Sequence, residues 1–150
     1  MTLFLTSSFC DREEEGIDQT AGFLDELKAR LPARLSAVFV CSDPEDHDIT
    51  DLYAASTADC FKREGFFFTD FTVLDDRNDA QAEGILSQAD LVILSGGHVP
   101  TQNRYFTAIG LGAMLRAFDG VIIGISAGTM NCADIVYAQP ELPGEAIALL

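Results

Sequence analysis

A serine stands between small residues in the segment Gly124–Ile125–Ser126–Ala127–Gly128, directly after a strongly apolar run. This G-x-S-x-G spacing is typical of a nucleophile elbow, a tight strand-to-helix turn that holds the serine hydroxyl out at the edge of a sheet. The small residues two positions before and after the serine let neighbouring backbone pass without a steric clash. The pattern therefore predicts that Ser126 is a catalytic nucleophile, and the alternative is a tight connection that carries no chemistry.

A second glycine-containing turn follows the apolar run at 91–94 and reads Gly96–Gly97–His98. Adjacent glycines allow close backbone approach, so we predict that the amides of Gly97 and Ala127 together form an oxyanion hole. The positive end of the helix that follows the serine is expected to favour the same oxyanion. Gly96 and His98 are predicted to contact the substrate, and an ordinary glycine-rich turn is the alternative.

A serine nucleophile needs a base, usually a histidine, and a carboxylate that orients the base. The chain has two histidines, and we interpret His47, in the acidic stretch "DPEDHD", as a solvated surface residue. His98 lies on the oxyanion side of the serine, so its role as a base, a substrate contact or a structural residue stays open. Glu141, fifteen residues after the serine, is the predicted carboxylate, whereas Asp134 is interpreted as a capping or surface charge.

Short apolar runs alternate with longer amphipathic stretches along the whole chain. Such alternation predicts right-handed crossovers and a mostly parallel sheet with helices on both faces. We therefore predict one α/β domain over 1–150, built as a three-layer sandwich whose glycine-containing turns lie at one sheet edge. The predicted strands are 2–8, 35–42, 66–75, 90–97 and 120–126, and the predicted helices are 20–31, 49–64, 78–88, 101–118 and a stretch from the elbow to about 136.

Acidic residues outnumber basic ones by 24 to 9, which gives a net charge of −15. This balance excludes nucleic acid and anionic membranes as expected partners, because both need patches of Lys and Arg. Strong acidity is also typical of proteins from salty surroundings. No apolar run reaches the ~18 residues of a membrane span. Neither glycine-containing turn has the spacing of a nucleotide-binding loop, so nucleotide binding at these turns is not expected.

The four cysteines, Cys10, Cys41, Cys60 and Cys132, are scattered and form no C-x-x-C pair. Scattered cysteines in a chain without a signal peptide are typical of reduced thiols, so we predict neither a disulfide nor a zinc or other metal site. Residues 2–8 lack the length and the basic flank of a signal peptide. These features together predict a cytoplasmic protein.

The stretches "LVILSGGHVPTQNRYF" (91–106) and "GVIIGISAGTMNCADIVYAQPE" (120–141) resemble the peptidase E and cyanophycinase family of serine peptidases. The fold of that family is similar to the flavodoxin-like domain of class I glutamine amidotransferases. The resemblance implies that Ser126 is the nucleophile, that Gly97 and Ala127 form the oxyanion hole, and that Glu141 is the acidic triad member. It also implies cleavage of short peptides next to aspartyl residues, without a metal or cofactor.

This sequence departs from the family pattern after the elbow. The family places its catalytic histidine after the acidic residue, and no histidine follows His98 here. Family chains are longer, and the apolar ending "AIALL" predicts a domain that is incomplete at its C-terminus, whose exposed sheet surface a second copy could cover. Two alternatives stay open: a non-catalytic binding or regulatory relative, and an amidotransferase-like amidase. Serine in place of cysteine at position 126 argues against the amidase.

Overall fold

The central element of the fold is a parallel sheet of five strands, seen in a computed structural model that describes residues 1–10, 16, 17, 19–141 and 143–150. The order across the sheet is β1-β5-β4-β2-β3, and every neighbouring pair is parallel. All five strands therefore end at the same edge. The strands are β1 (Thr2–Thr6), β2 (Arg34–Val40), β3 (Phe67–Leu74), β4 (Leu91–Leu94) and β5 (Val121–Ile125).

Helices cover both faces of this sheet. Leu27 and Phe61 pack on one face beside Ile93, while Leu111 packs on the other face beside Val92. All four residues of β4 are buried, as expected for a strand covered on both sides. The predicted three-layer α/β sandwich is therefore confirmed. The helices are α1 (Phe23–Arg30), α2 (His47–Arg63), α3 (Ala82–Leu86), α4 (Val99–Ala108), α5 (Leu111–Ala117) and α6 (Ala127–Met130), with 3-10 turns at Thr20–Gly22 and Asp79–Gln81.

The single helix predicted over 101–118 is wrong, because Gly110 divides it into α4 and α5. Gly110 has φ 69, a left-handed conformation that glycine adopts without a Cβ penalty. The apolar spacing continues across the break, since Leu111 is fully buried in the same core cluster as Phe106. The periodicity of the sequence therefore concealed the break between α4 and α5.

The helix predicted from the elbow to about 136 is also wrong, since α6 ends at Met130. The chain then forms a small antiparallel hairpin of β6 (Tyr137–Ala138) and β7 (Ala148–Leu149), which the sequence did not predict. Val136 and Leu150 extend the hairpin by exchanging two backbone hydrogen bonds of 2.9 and 2.8 Å. Strands of two residues are too short to show an alternating apolar pattern.

β1 lies at the edge of the sheet and leaves apolar side chains uncovered. Leu3 is 41% exposed and Leu5 is 57% exposed. Leu3 is in register with Ile122. The Ile122 side chain is buried in the same core cluster as apolar side chains from α4 and α5. On this face of the sheet, α4 and α5 therefore leave β1 partly uncovered. None of the helices in the described ranges combines the length and apolar character that a membrane span requires.

The prediction that all four cysteines are reduced thiols is wrong for two of them. Cys10 and Cys60 form a disulfide across 50 residues of sequence, with their Cα atoms 6.3 Å apart. Cys60 lies on α2, and Cys10 lies in the segment after β1, so only the folded topology brings the two together. Cys41 and Cys132 are free.

Counting thiols tests this pairing. Protein purified and denatured without reductant should react with maleimide at two sites, Cys41 and Cys132, and at four sites after reduction. Intact mass spectrometry measures both counts. The variant Cys60→Ser is the control, since it frees Cys10 and should give three reactive thiols. Four reactive thiols in the unreduced wild type would contradict the disulfide.

Candidate active site

The turn between β5 and α6 holds Ser126 in a conformation that few residues adopt. Its backbone angles are φ 48 and ψ −106, although it is not a glycine. Such a conformation costs about 1–3 kcal/mol and persists only where the surrounding structure enforces it. The Ser126 side chain is exposed, so the hydroxyl faces solvent at the sheet edge. This is the geometry that the G-x-S-x-G pattern predicts.

Two threonines hold the turn in place. The Ser126 amide donates a 2.8 Å hydrogen bond to the Thr6 carbonyl at the end of β1. The Thr129 hydroxyl of α6 accepts from the Thr6 amide at 3.0 Å and lies 2.7 Å from the Gly124 carbonyl oxygen. The first turn after the serine is therefore hydrogen-bonded back to both β1 and β5.

The glycines of the pattern are required by close packing. A Cβ atom on Gly128 would overlap the backbone carbonyl of Leu94 at the end of β4, and one on Gly124 would lie 2.9 Å from the backbone of Thr129. The Gly128 amide also donates a 3.1 Å hydrogen bond to the Ser95 carbonyl. The elbow thus rests directly against β4 as well as against β1.

The glycine turn after β4 lies beside the serine. A Cβ atom on Gly96 would be 3.5 Å from the Cβ of Ser126. Gly97 has φ 153, and a Cβ there would overlap the Ser42 side chain, so both the conformation and the space require glycine. Within the described residues, neither the Gly97 amide nor the Ala127 amide donates a hydrogen bond. These two amides therefore have no hydrogen-bond acceptor within the part of the chain that the structure describes.

The helix α6 contributes less than the sequence suggested. It has four residues, Ala127–Met130, rather than the longer helix expected from the pattern. A macrodipole grows by the alignment of successive peptide units, so a single turn supplies little of it. Stabilisation of a negative charge beside Ser126 would therefore come from individual amide groups.

Both ring nitrogens of His98 already have close neighbours. Nδ1 lies 2.8 Å from the Thr101 hydroxyl, and Nε2 lies 2.9 Å from Oε1 of Glu145. The contact with Glu145 has ion-pair length, although its angle is not that of a directed hydrogen bond. Each ring nitrogen thus has a close neighbour other than Ser126.

Glu145 is a site residue that the sequence reasoning missed. The predicted carboxylate, Glu141, is exposed, and its backbone amide donates a 2.9 Å hydrogen bond to Oε2 of Glu145. The hairpin brings Glu145 to His98 because Val136 and Ala138 pack against Ala127 of the elbow. No spacing in the sequence identifies Glu145, because its position depends on the hairpin.

His47 lies away from the elbow, in an acidic cluster at the ends of β2 and β3. Its Nε2 is 2.6 Å from Oδ1 of Asp76, and this hydrogen bond raises the pKa of the His47 imidazole. Asp75 is also within metal-ligand spacing of the pair, but Arg77 donates hydrogen bonds to both of its carboxylate oxygens. A guanidinium thus already neutralises the buried carboxylate that a metal would need.

The two free thiols are poor candidates for a nucleophile. Burial, followed by the charges of Asp75 and Asp43, raises the pKa of Cys41 to about 12. Burial also raises the pKa of Cys132, whose Sγ donates to the Gly128 carbonyl at 3.2 Å. Because the thiolate is the reactive form, a raised pKa disfavours reaction of either thiol at neutral pH. An amidase with a thiolate nucleophile therefore has no support in the described residues.

A groove near the elbow lies under α4 and α5. It has a volume of about 340 Å³, and its wall includes Leu94, Phe106, Ile122 and Cys132. Neither Ser126 nor the Gly96–Gly97 turn lines it.

Comparison with known proteins relates this chain to others by fold. No family model and no curated protein sequence matches the chain. A solved structure of a provisionally named peptidase E protein from Listeria monocytogenes EGD-e matches with a TM-score of 0.58 and 18% sequence identity. The match covers 85% of this chain and 59% of the other, so this chain spans less than two thirds of that structure. At this identity the likeness concerns the fold alone.

Substitution of Gly128 tests the packing of the elbow. Gly128→Ala should lower the free energy of unfolding by about 1–3 kcal/mol, because the new methyl group overlaps a backbone carbonyl that cannot rotate away. Gly84→Ala in α3 is the matched control: nothing lies within 4 Å of its Cβ position, and the change should raise stability by about 0.5–1 kcal/mol. Urea denaturation measures both. Equal effects of the two substitutions would contradict the close packing of α6 on β4.

Proposed function

We propose that this chain carries the nucleophile of a serine hydrolase of the peptidase E type, which cleaves peptide bonds in short peptides. The observation that carries the proposal is the positive φ of Ser126, with its hydroxyl exposed beside two unpaired amides. Strain of this kind is concentrated at active sites. The fold shared with a provisionally named peptidase E supports the proposal at the level of a peptidase-like fold.

In the proposed reaction, Ser126 Oγ attacks the carbonyl carbon of the scissile bond while its proton passes to a base. A C–O bond forms, and the carbonyl electron pair moves onto oxygen, which accepts hydrogen bonds from the amides of Gly97 and Ala127. The C–N bond then breaks, and the base returns the proton to the leaving amine. Water hydrolyses the acyl-enzyme by the same route.

The base in this proposal is not one of the two histidines in their present positions. His98 has neighbours at both ring nitrogens, and His47 is paired with Asp76. We infer that the base comes from outside the described residues, whether from a longer chain or from a second copy. An elbow and oxyanion hole without a base retain only about 10³–10⁴-fold catalysis over water.

The substrate class follows the family resemblance in this proposal. Short peptides are the proposed substrates, and cleavage beside an aspartyl residue is the finer expectation. Glu141 remains the proposed acidic partner of the external base, because its exposed carboxylate is free to orient a group that arrives from solvent.

A binding or regulatory module is the second candidate function. The observation that favours it is the engagement of His98 by Thr101 and Glu145, which leaves the serine without an activating group in this chain. Such a module would bind the same peptides at the glycine turn without cleaving them. Covalent labelling of the serine distinguishes the two functions.

Reaction with a fluorophosphonate tests the nucleophile. When the base is supplied, by a longer chain or by a second copy, the protein should gain the mass of one phosphonyl group at Ser126, as Oγ displaces fluoride, and Ser126→Ala should gain none. His47→Ala is the control and should keep the labelling rate within about a factor of two, because His47 lies in the separate acidic cluster. Intact mass spectrometry and peptide mapping measure the outcome.

Two results would count against this proposal. Labelling that survives in Ser126→Ala would place the reactive group elsewhere. A protein that stays unlabelled even when the base is supplied, and that nevertheless binds a stable peptide analogue, would favour the binding module over the hydrolase.

A further inference from the structure

We propose that Gln102 is a positioning residue that fixes the distance between the Gly97 and Ala127 amides, an inference that rests on the proposed function of Ser126. Gln102 lies in the first half of α4 and is fully buried, with 0% exposure. A buried amide side chain is destabilising unless both its donor and its acceptor find partners. Gln102 satisfies both, and its partners belong to the two segments that carry the candidate oxyanion hole.

The donor of Gln102 binds the glycine turn. Nε2 donates a 2.7 Å hydrogen bond to the carbonyl oxygen of Ser95, two residues before Gly97. The same carbonyl accepts a 3.1 Å hydrogen bond from the Gly128 amide in α6. Both lone pairs of the Ser95 oxygen are thus in use, one by Gln102 and one by the elbow.

The acceptor of Gln102 binds the end of the elbow helix. Oε1 accepts a 2.9 Å hydrogen bond from Nδ2 of Asn131, the residue that follows α6. Nδ2 of Asn131 also lies 3.2 Å from the Val99 carbonyl, and its Oδ1 accepts from Asn103 at 3.0 Å. One buried side chain therefore joins the end of β4, the start of α4 and the end of α6.

This linkage has a consequence for catalysis. Oxyanion donors act only when they lie within a few tenths of an ångström of their best positions, and second-layer hydrogen bonds hold them there. Gly97 and Ala127 are on different segments, and only contacts between those segments can set their separation. Gln102 supplies such a contact from each of its two polar atoms, without touching the serine or the substrate side of the turn.

Two substitutions of Gln102 remove hydrogen bonds while keeping a side chain of similar size. Gln102→Met keeps a similar length and removes both hydrogen bonds, and Gln102→Glu keeps an acceptor for Asn131 but loses the donor to Ser95. Asn131→Ala is a milder variant that retains Gln102 and removes its partner. Phe66→Leu is the control for stability, because Phe66 is buried in the core on the opposite face of the sheet.

The first readout is the amide ¹H–¹⁵N spectrum, which needs no activity. Both Gln102 variants should shift the signals of Gly97 and Ala127, whereas Phe66→Leu should lower the melting temperature and leave those two signals in place. The second readout is the rate constant of fluorophosphonate labelling. We expect it to fall about 10-fold or more in the Gln102 variants and to change little in Phe66→Leu.

The outcomes are distinguishable. Unchanged Gly97 and Ala127 signals in the Gln102 and Asn131 variants would overturn the positioning role, as would a labelling rate that falls no more than in Phe66→Leu. The Gln102 variants could instead shift the Gly97 and Ala127 signals while fluorophosphonate fails to label the wild-type protein. That result would support the linkage through Gln102 and overturn only the hydrolase function.

Discussion

The strained backbone of Ser126 depends on its place between two neighbouring strands of a parallel sheet. β5 lies between β1 and β4, and each neighbour offers a carbonyl at the edge where β5 ends. The Ser126 amide donates to Thr6 on one side, and the Gly128 amide donates to Ser95 on the other. Each such hydrogen bond contributes about 0.5–1.5 kcal/mol, which is comparable to the cost of the strained conformation. The turn is therefore stable only when both neighbours are in register with it.

The short elbow segment is held in place by contacts with several distant parts of the chain. Gly128 lies against β4, the hairpin packs on Ala127, and Glu145 in the hairpin loop approaches His98. The segment after the elbow is thus coupled to the glycine turn from two directions. Because α6 has only one turn, any stabilisation of an oxyanion depends on individual amides. The distance between those amides then determines how well they stabilise it.

The sequence predicted the parts of this structure that depend on local pattern. Runs such as 91–94 and 121–125 are apolar throughout because parallel strands are buried on both faces, and the elbow is recognisable because Gly124 and Gly128 must lack side chains. The parts it missed depend on tertiary contacts. Gly110 breaks a helix inside a continuous apolar pattern, Glu145 reaches His98 only through the hairpin, and Cys10 meets Cys60 only after folding.

A crystal structure of the protein after reaction with a fluorophosphonate would test the central claim most directly. The account predicts a phosphorus atom bonded to Ser126 Oγ, with one phosphonyl oxygen about 2.7–3.1 Å from the amide nitrogens of Gly97 and Ala127. It also predicts that Ser126 keeps its positive φ in the adduct. A phosphonyl oxygen turned to solvent, with both amides still unpaired, would contradict the assignment of these amides as an oxyanion hole.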